Sequence, residues 1–273
     1  MIEQAAIKAL QERHNYTVLN CMIEEPDTLP DGTRRKDKKQ VVLPDVMLES
    51  LCRINPDIPE QTVRTVVDEL CHTPVSGDLM QTNYQNYQKI RNGITVEYNK
   101  NGKKTSNILR LLSYNDALSN TFTVASQMWI KGETHWRRPD LIIFINGFPL
   151  VFIELKNSNI PVKNAYDINL KNYLKDIPYL FNYNQICVLS NGMETRLGSF
   201  ATGYEFFGAY NFSWGLSRPM PLVGANNIVF KKCCSKDWGS TFCFFRLVIR
   251  YILQKSVFTK WRNNLERYYH KAP

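Results

Sequence analysis

The spacing of apolar and polar positions changes several times along this 273-residue chain, and each change predicts an element. Residues 2–13 place Ala6, Ile7 and Leu10 at helical spacing, which predicts an amphipathic helix. A strand follows Tyr16, and then a loop carries the basic run TRRKDKK at 33–39, which reads as a solvated segment or a phosphate contact. A helical pattern returns over 41–51, and INPDIPE at 54–60 predicts a proline-punctuated turn into a second helix over 60–71. ITVEYN from Ile94 predicts a strand, Asn101-Gly102 a hairpin turn, and LRLLSY at 109–114 and FTVASQMWI at 122–130 a continuing sheet. A helix over 164–176 closes before Pro178, and QICVLSNG at 185–192 predicts a buried strand. Residues 198–218, rich in Gly, Phe, Tyr and Trp, suit loops packed under aromatics better than a surface for nucleic-acid bases. Beyond Phe242, residues Phe245, Val248, Ile249, Ile252 and Leu253 trace another helical stripe. Helices before and after a run of strands argue for a mixed α/β layer architecture.

The most informative stretch is RRPDLIIFINGFPLVFIELKN, 137–157. Two apolar, β-branched runs flank Asn146-Gly147, with Pro149 just beyond, so a β-hairpin is predicted. A three-residue loop centred on Gly147 sets Asp140 opposite Glu154. Side chains alternate along a strand, so Lys156 shares a face with Glu154 while Ile153 and Leu155 point the other way. Two carboxylates and an ammonium then line one wall.

Unpaired carboxylates beside so much apolar surface repel one another or take up a proton. A divalent cation relieves both problems. Mg²⁺ prefers carboxylate and carbonyl oxygens, keeps several waters and leaves room for a phosphate. The bland alternative makes Asp140 a residue at the strand entrance and Glu154–Lys156 a surface ion pair, as a short D…ExK match usually is. Here the charges interrupt strands that otherwise read as fully buried, which favours function. Arg137 and Arg138 border the cluster and suit either phosphate oxygens or the Asp140 carboxylate. Asn169 and Tyr173 lie four apart on one predicted helical face. Glu3 begins the inward stripe of the first helix, where it could simply favour the helix N-terminus.

Charge and cysteine usage sharpen the class. Residues 231–273 hold ten Lys and Arg against Asp237 and Glu266, so +8 of the +9 net charge sits there. This basic segment suits a polyanion, a solvated flank or packing against further chain. Seven cysteines without a regular framework, Cys233-Cys234 among them, fit reduced thiols in the cytoplasm. The N-terminus lacks the apolar core of a signal peptide, and no run is long enough to span a membrane. Four scattered histidines make no metal spacing, and no GxxxxGK[ST] loop occurs.

Pro139-Asp140 with Glu154-Leu155-Lys156 has the form of a PD-(D/E)xK nuclease motif. NGFPLVFIELKN and LKDIPYLFNYNQ resemble the endonuclease region of the R (HsdR) subunit of type I restriction enzymes. The resemblance runs from near residue 1 to about 210, with a core over about 85–200. It implies a mixed central sheet flanked by helices, restriction-endonuclease-like, that hydrolyses phosphodiester bonds of double-stranded DNA. It implies Mg²⁺, with Mn²⁺ as a substitute, held by Asp140, Glu154 and the Leu155 carbonyl, with Glu3 matching a first-helix glutamate that approaches the metal. Lys156 would position the attacking water. The family's QxxxY motif falls on Asn169 and Tyr173. The tyrosine matches, while Asn169 is one methylene shorter than glutamine. Methyltransferase and specificity subunits are the implied partners, and ATP enters only through a motor domain absent from this chain, to which 211–273 would be the link. The rival expectations are a catalytically silent nuclease-like module for DNA binding or assembly, and a stand-alone repair or junction nuclease.

Overall fold

The hairpin predicted at 137–157 forms the centre of the sheet in a computed structural model of the chain. The structure describes residues 2–29, 31–72, 78–100, 102–114 and 116–210. All belong to one compact unit, Met1–Arg218. Expectations for 211–273, including the basic segment, Cys233-Cys234 and the stripe past Phe242, lie outside the described residues.

The helices are α1 Ile2–His14, α2 Pro44–Ile54, α3 Glu60–Cys71, α4 Leu79–Asn92 and α5 Lys171–Asp176. The strands up to the hairpin are β1 Thr17–Asn20, β2 Ile94–Lys100, β3 Lys103–Leu109, β4 Phe122–Ser126, β5 Ile130–Lys131 and β6 Trp136–Arg137. The hairpin is β7 Leu141–Ile145 with β8 Phe148–Leu155, followed by β9 Ile186–Ser190, β10 Thr195–Gly198 and β11 Gly208–Tyr210. A seven-stranded mixed sheet runs β1-β4-β7-β8-β9-β10-β11, with the β1–β4 and β8–β9 pairs parallel and the others antiparallel. The expected mixed α/β architecture is therefore present.

β7 is buried along its whole length and β8 until its last residue, as unbroken apolar runs in a covered sheet should be. On one face Phe152 meets Tyr173 edge-on at 5.5 Å and Phe181 at 5.6 Å between ring centres. Phe181 continues to Phe200 at 5.5 Å, so the aromatic residues near 200 serve packing, as expected. The hairpin turn is itself buried. Asn146 and Gly147 adopt φ of 50° and 83°, the left-handed pair of a two-residue turn. Leu43 donates its backbone N–H to the Gly147 carbonyl at 3.0 Å, and a Cβ on Gly147 would lie 2.6 Å from the Leu43 oxygen. The Asn146 side chain accepts from Thr121 N at 2.7 Å and donates to Leu111 O and Asn120 Oδ1. This clamp under α2 holds the hairpin rigidly at its closed end.

The loop is thus two residues long, not three. Ile145 pairs with Phe148 and Phe144 with Pro149, but Ile143 pairs with Val151, so Leu150 is an extra, bulged residue. That bulge shifts the register by one and restores Leu141 opposite Ile153. Asp140 and Glu154 come opposite one another as expected, by a different route.

Several elements differ from the sequence reading. The strand expected at 109–114 lies earlier, at Lys103–Leu109, and pairs only with β2 in a separate two-stranded sheet. Beyond it, Asn55 takes the backbone of Arg110 on both its N–H and its carbonyl, so side chains replace a strand ladder there. The 122–130 strand breaks at Gln127, whose φ is 53°. α4 was not anticipated, because its buried stripe is Asn83, Asn86, Tyr87 and Ile90, at helical spacing but half polar. Asn83 donates to the carbonyls of Phe181 and Asn184, and Asn86 to that of Asn182, which satisfies those buried amides. The helix expected from Val41 starts at Pro44, which suits a first helical position. The run 33–39 is not simply solvated: Arg35 and Lys38 are buried, and both bind Asp31 Oδ2. These two cations hold the Asp31 carboxyl well below the usual carboxylate range despite its burial.

Candidate functional site

The site lies at the open end of the hairpin, opposite the buried turn. Lys156 donates its backbone N–H to Ser190 O at 2.7 Å, extending the β8–β9 ladder. Its side chain returns over the sheet, and Nζ donates to Glu154 Oε1 at 2.9 Å, as two residues on one strand face can. Leu155 presents its backbone to the other side, where its N–H donates to Asp140 Oδ2 at 2.7 Å. A residue's carbonyl leaves an extended strand on the same edge as its N–H, so the Leu155 oxygen also faces the Asp140 side.

Glu154 is 2% exposed, and its second oxygen, Oε2, is buried with no hydrogen-bond partner. Burial pushes its carboxyl up to about 8, and the charge of Asp140 adds to the rise against the pull of Lys156. Asp140 is raised as well, by burial, although the Leu155 N–H and the Gln127 amide favour its charged form. Glu3, on α1, is raised first by burial and further by Asp140. Three carboxyls are thus all held above their ordinary values. Burial outweighs the nearby Lys156 and Arg138 charges, and one carboxylate oxygen, Glu154 Oε2, lacks a partner.

Tyr173 lies over Glu154 from α5. Its hydroxyl donates to the Arg138 carbonyl at 3.3 Å and favours the charged form of Glu154. Burial, then the Glu154 charge, push the hydroxyl's own pKa up, while Asn169 acts in the opposite sense. Asn169 belongs to a π-helical stretch, Ala165–Leu170, that runs into α5. Such a widened turn changes which side chains share a face, and it often marks a functional helix. The predicted pair therefore reaches the site from a helix that is not a regular α-helix.

The two arginines part company. Arg137 is bound to the Asp176 carboxylate through Nε at 2.6 Å and through a second guanidinium nitrogen, away from Asp140. Arg138 lies 4.8 Å over the Trp129 ring, and its charge lowers both Asp140 and Glu3. Arg138 thus acts electrostatically on the acidic cluster, whereas Arg137 is engaged by Asp176.

Among the described residues, no three His, Cys, Asp or Glu side chains gather closely enough to hold a metal by themselves. Glu3 instead meets Gln127, whose Nε2 donates to Glu3 Oε2 at 2.8 Å and to Asp140 Oδ1 at 3.2 Å. Gln127 was not anticipated as a site residue. Its position in an apolar strand pattern gives no signal, and only the β4–β7 register, with Ser126 opposite Leu141, brings it beside Asp140.

A family model described as type I restriction enzyme R protein N terminus matches residues 1–206. The chain is 34% identical over 179 residues to the type I restriction enzyme HindI endonuclease subunit of Haemophilus influenzae, covering 63% of this chain and 17% of that protein. It is 29% identical over 216 residues to a putative type I restriction enzyme MjaIXP endonuclease subunit of Methanocaldococcus jannaschii, covering 73% and 20%. A Staphylococcus saprophyticus endonuclease subunit, SsaAORF53P, is 35% identical over 95 residues, 35% of this chain and 10% of that subunit. The matches thus span at most 20% of these relatives' own length. With three quarters of its residues under the family model, the chain belongs to the type I restriction enzyme R protein N-terminus family.

Proposed function

We propose that residues 1–210 form a restriction-endonuclease-like, PD-(D/E)xK nuclease domain that cleaves double-stranded DNA in a type I restriction complex. The observation that carries this reading is the convergence of Asp140, Glu154 and Lys156, with Glu154 Oε2 buried and unpartnered. A buried carboxylate oxygen without a donor is a destabilising arrangement unless a cation or a proton completes it.

The residues fit Mg²⁺. Asp140, Glu154 and the Leu155 carbonyl would hold it, an all-oxygen set that leaves places for water and phosphate. When bound, the ion supplies charge to the phosphate and lowers the pKa of a water. The chain's own groups do the rest. Glu154 takes one Lys156 hydrogen, which fixes the ammonium over the pocket; the other hydrogens can orient the attacking water and meet charge developing on the phosphate. Tyr173 supports the charged form of Glu154, and Asn169 bonds the Tyr173 hydroxyl. Arg138, stacked on Trp129, is preorganised beside the site for a backbone phosphate. The partners in this reading are methyltransferase and specificity subunits, with ATP used by a motor domain elsewhere in the R subunit.

The test is nicking of supercoiled plasmid by the assembled complex with Mg²⁺ and ATP. Asp140→Ala and Lys156→Ala should lose cleavage while retaining translocation-linked ATP hydrolysis. Equal nicking by wild type and Asp140→Ala would exclude the assignment. Wild-type DNA binding without any cleavage would instead favour the silent-module reading.

A further inference from the structure

Gln127 occupies an unusual place: it directly follows β4 with a positive φ of 53°, a conformation uncommon for a non-glycine residue. Its backbone N–H donates to the Asp140 carbonyl at 2.9 Å, which locks it one register step beyond the Ser126–Leu141 pair. Its amide then meets two carboxylates from different parts of the chain, Glu3 from α1 and Asp140 from the entrance to β7. Carboxylate oxygens only accept hydrogen bonds, so the amide must present its NH₂ to them, whichever way its atoms are assigned.

We infer that Gln127 is a positioning residue that joins Glu3 and Asp140 into one acidic wall by giving both hydrogens of a single amide nitrogen to the two carboxylates. The inference rests on the metal reading above and adds how the site is set. Two carboxylates on one donor repel one another, so the two acids would turn apart without it. Gln127 gives each of them a hydrogen bond and so holds them together. Asp140 spends Oδ2 on the Leu155 N–H and one contact of Oδ1 on Gln127, so its orientation is fixed from both sides before any ion arrives. A ligand oriented in this way by a neighbouring amide resembles the supporting contacts of metal sites, whose removal commonly weakens metal affinity about 10–100-fold.

The same geometry supplies a discriminating variant. Gln127→Gly deletes the clamp and relieves the left-handed backbone, so a merely structural amide and a positioning amide give different readouts. Mn²⁺ titration of the full chain, followed by calorimetry or by electron paramagnetic resonance, should show Gln127→Gly binding about tenfold or more weakly. Its thermal midpoint in chelator should match or exceed that of the wild type. In the assembled complex, cleavage by Gln127→Gly should need correspondingly more Mg²⁺ while approaching the wild-type rate at saturation. Glu3→Gln in the Gln127→Gly background should cost less affinity than in the wild type, because the two residues act through one contact. Wild-type chain that binds Mn²⁺ with Gln127→Gly unchanged overturns this inference alone. Wild-type chain that takes up no Mn²⁺ overturns the metal reading and the inference with it.

Discussion

Replacing Glu154 by glutamine should stabilise the metal-free protein while abolishing its metal binding. In the folded state the Glu154 carboxyl is pushed from its ordinary 4.5 up to about 8 by burial and by Asp140. A raised carboxyl pKa means that stability is complete below pH 4.5, where both states are protonated, and is lost as pH climbs toward 8. Each pH unit in that interval corresponds to about 1.4 kcal/mol, so the penalty at pH 7 is on the order of 3 kcal/mol. Glutamine keeps the shape and an oxygen for Lys156, and its NH₂ would occupy the place of the unpartnered Oε2. Thermal unfolding in excess chelator at pH 5 and pH 8 measures the effect. The expected result is a midpoint several degrees higher for Glu154→Gln at pH 8 and a much smaller difference at pH 5. Millimolar Mn²⁺ should reverse the order, because ligand stabilises only the protein that binds it. A Glu154→Gln protein less stable than wild type at pH 8 in chelator would refute the picture of a strained, cation-seeking acid.

Asp31→Ala leaves Arg35 and Lys38 buried without their shared carboxylate, and urea denaturation should show a loss of about 3–5 kcal/mol. The depressed Asp31 pKa means that its stabilisation is present above the ordinary carboxylate range and is lost as pH falls below it. Acid unfolding should therefore be earlier in wild type than the surface carboxylates alone predict. Arg137→Ala should lower stability by about 3 kcal/mol, since Asp176 is buried, yet leave the salt dependence of DNA binding unchanged. A shallower salt slope would return Arg137 to the phosphate contacts. Gly147→Ala forces a side chain into a left-handed turn under Leu43 and should destabilise by at least ~2 kcal/mol in the same denaturation assay.

The parts of the fold that the sequence made legible are those where apolar period and turn chemistry agree. Asn146-Gly147 between two β-branched runs marked the hairpin, and the ExK spacing placed Glu154 and Lys156 on one face. The Asp140–Glu154 juxtaposition was anticipated from a wrong loop length, because a bulge at Leu150 added the residue that the shorter turn lacked. Bulges leave no reliable composition signal. α4 was hidden because its buried stripe carries asparagines whose amides cap carbonyls far away in sequence. Arg35 and Lys38 looked like surface charge until the chain brought Asp31 between them. Gln127 was invisible for a related reason: its function lies in two long-range contacts, to Glu3 and Asp140, and none in local periodicity.

The most direct test of the central claim is anomalous diffraction from crystals of this chain soaked in Mn²⁺. The account predicts a peak in the pocket with one oxygen each of Asp140 and Glu154 at coordination distance, roughly 2.0–2.3 Å, and the Leu155 carbonyl facing it. Ordered Mn²⁺ elsewhere in the crystal with none between those two carboxylates would contradict it.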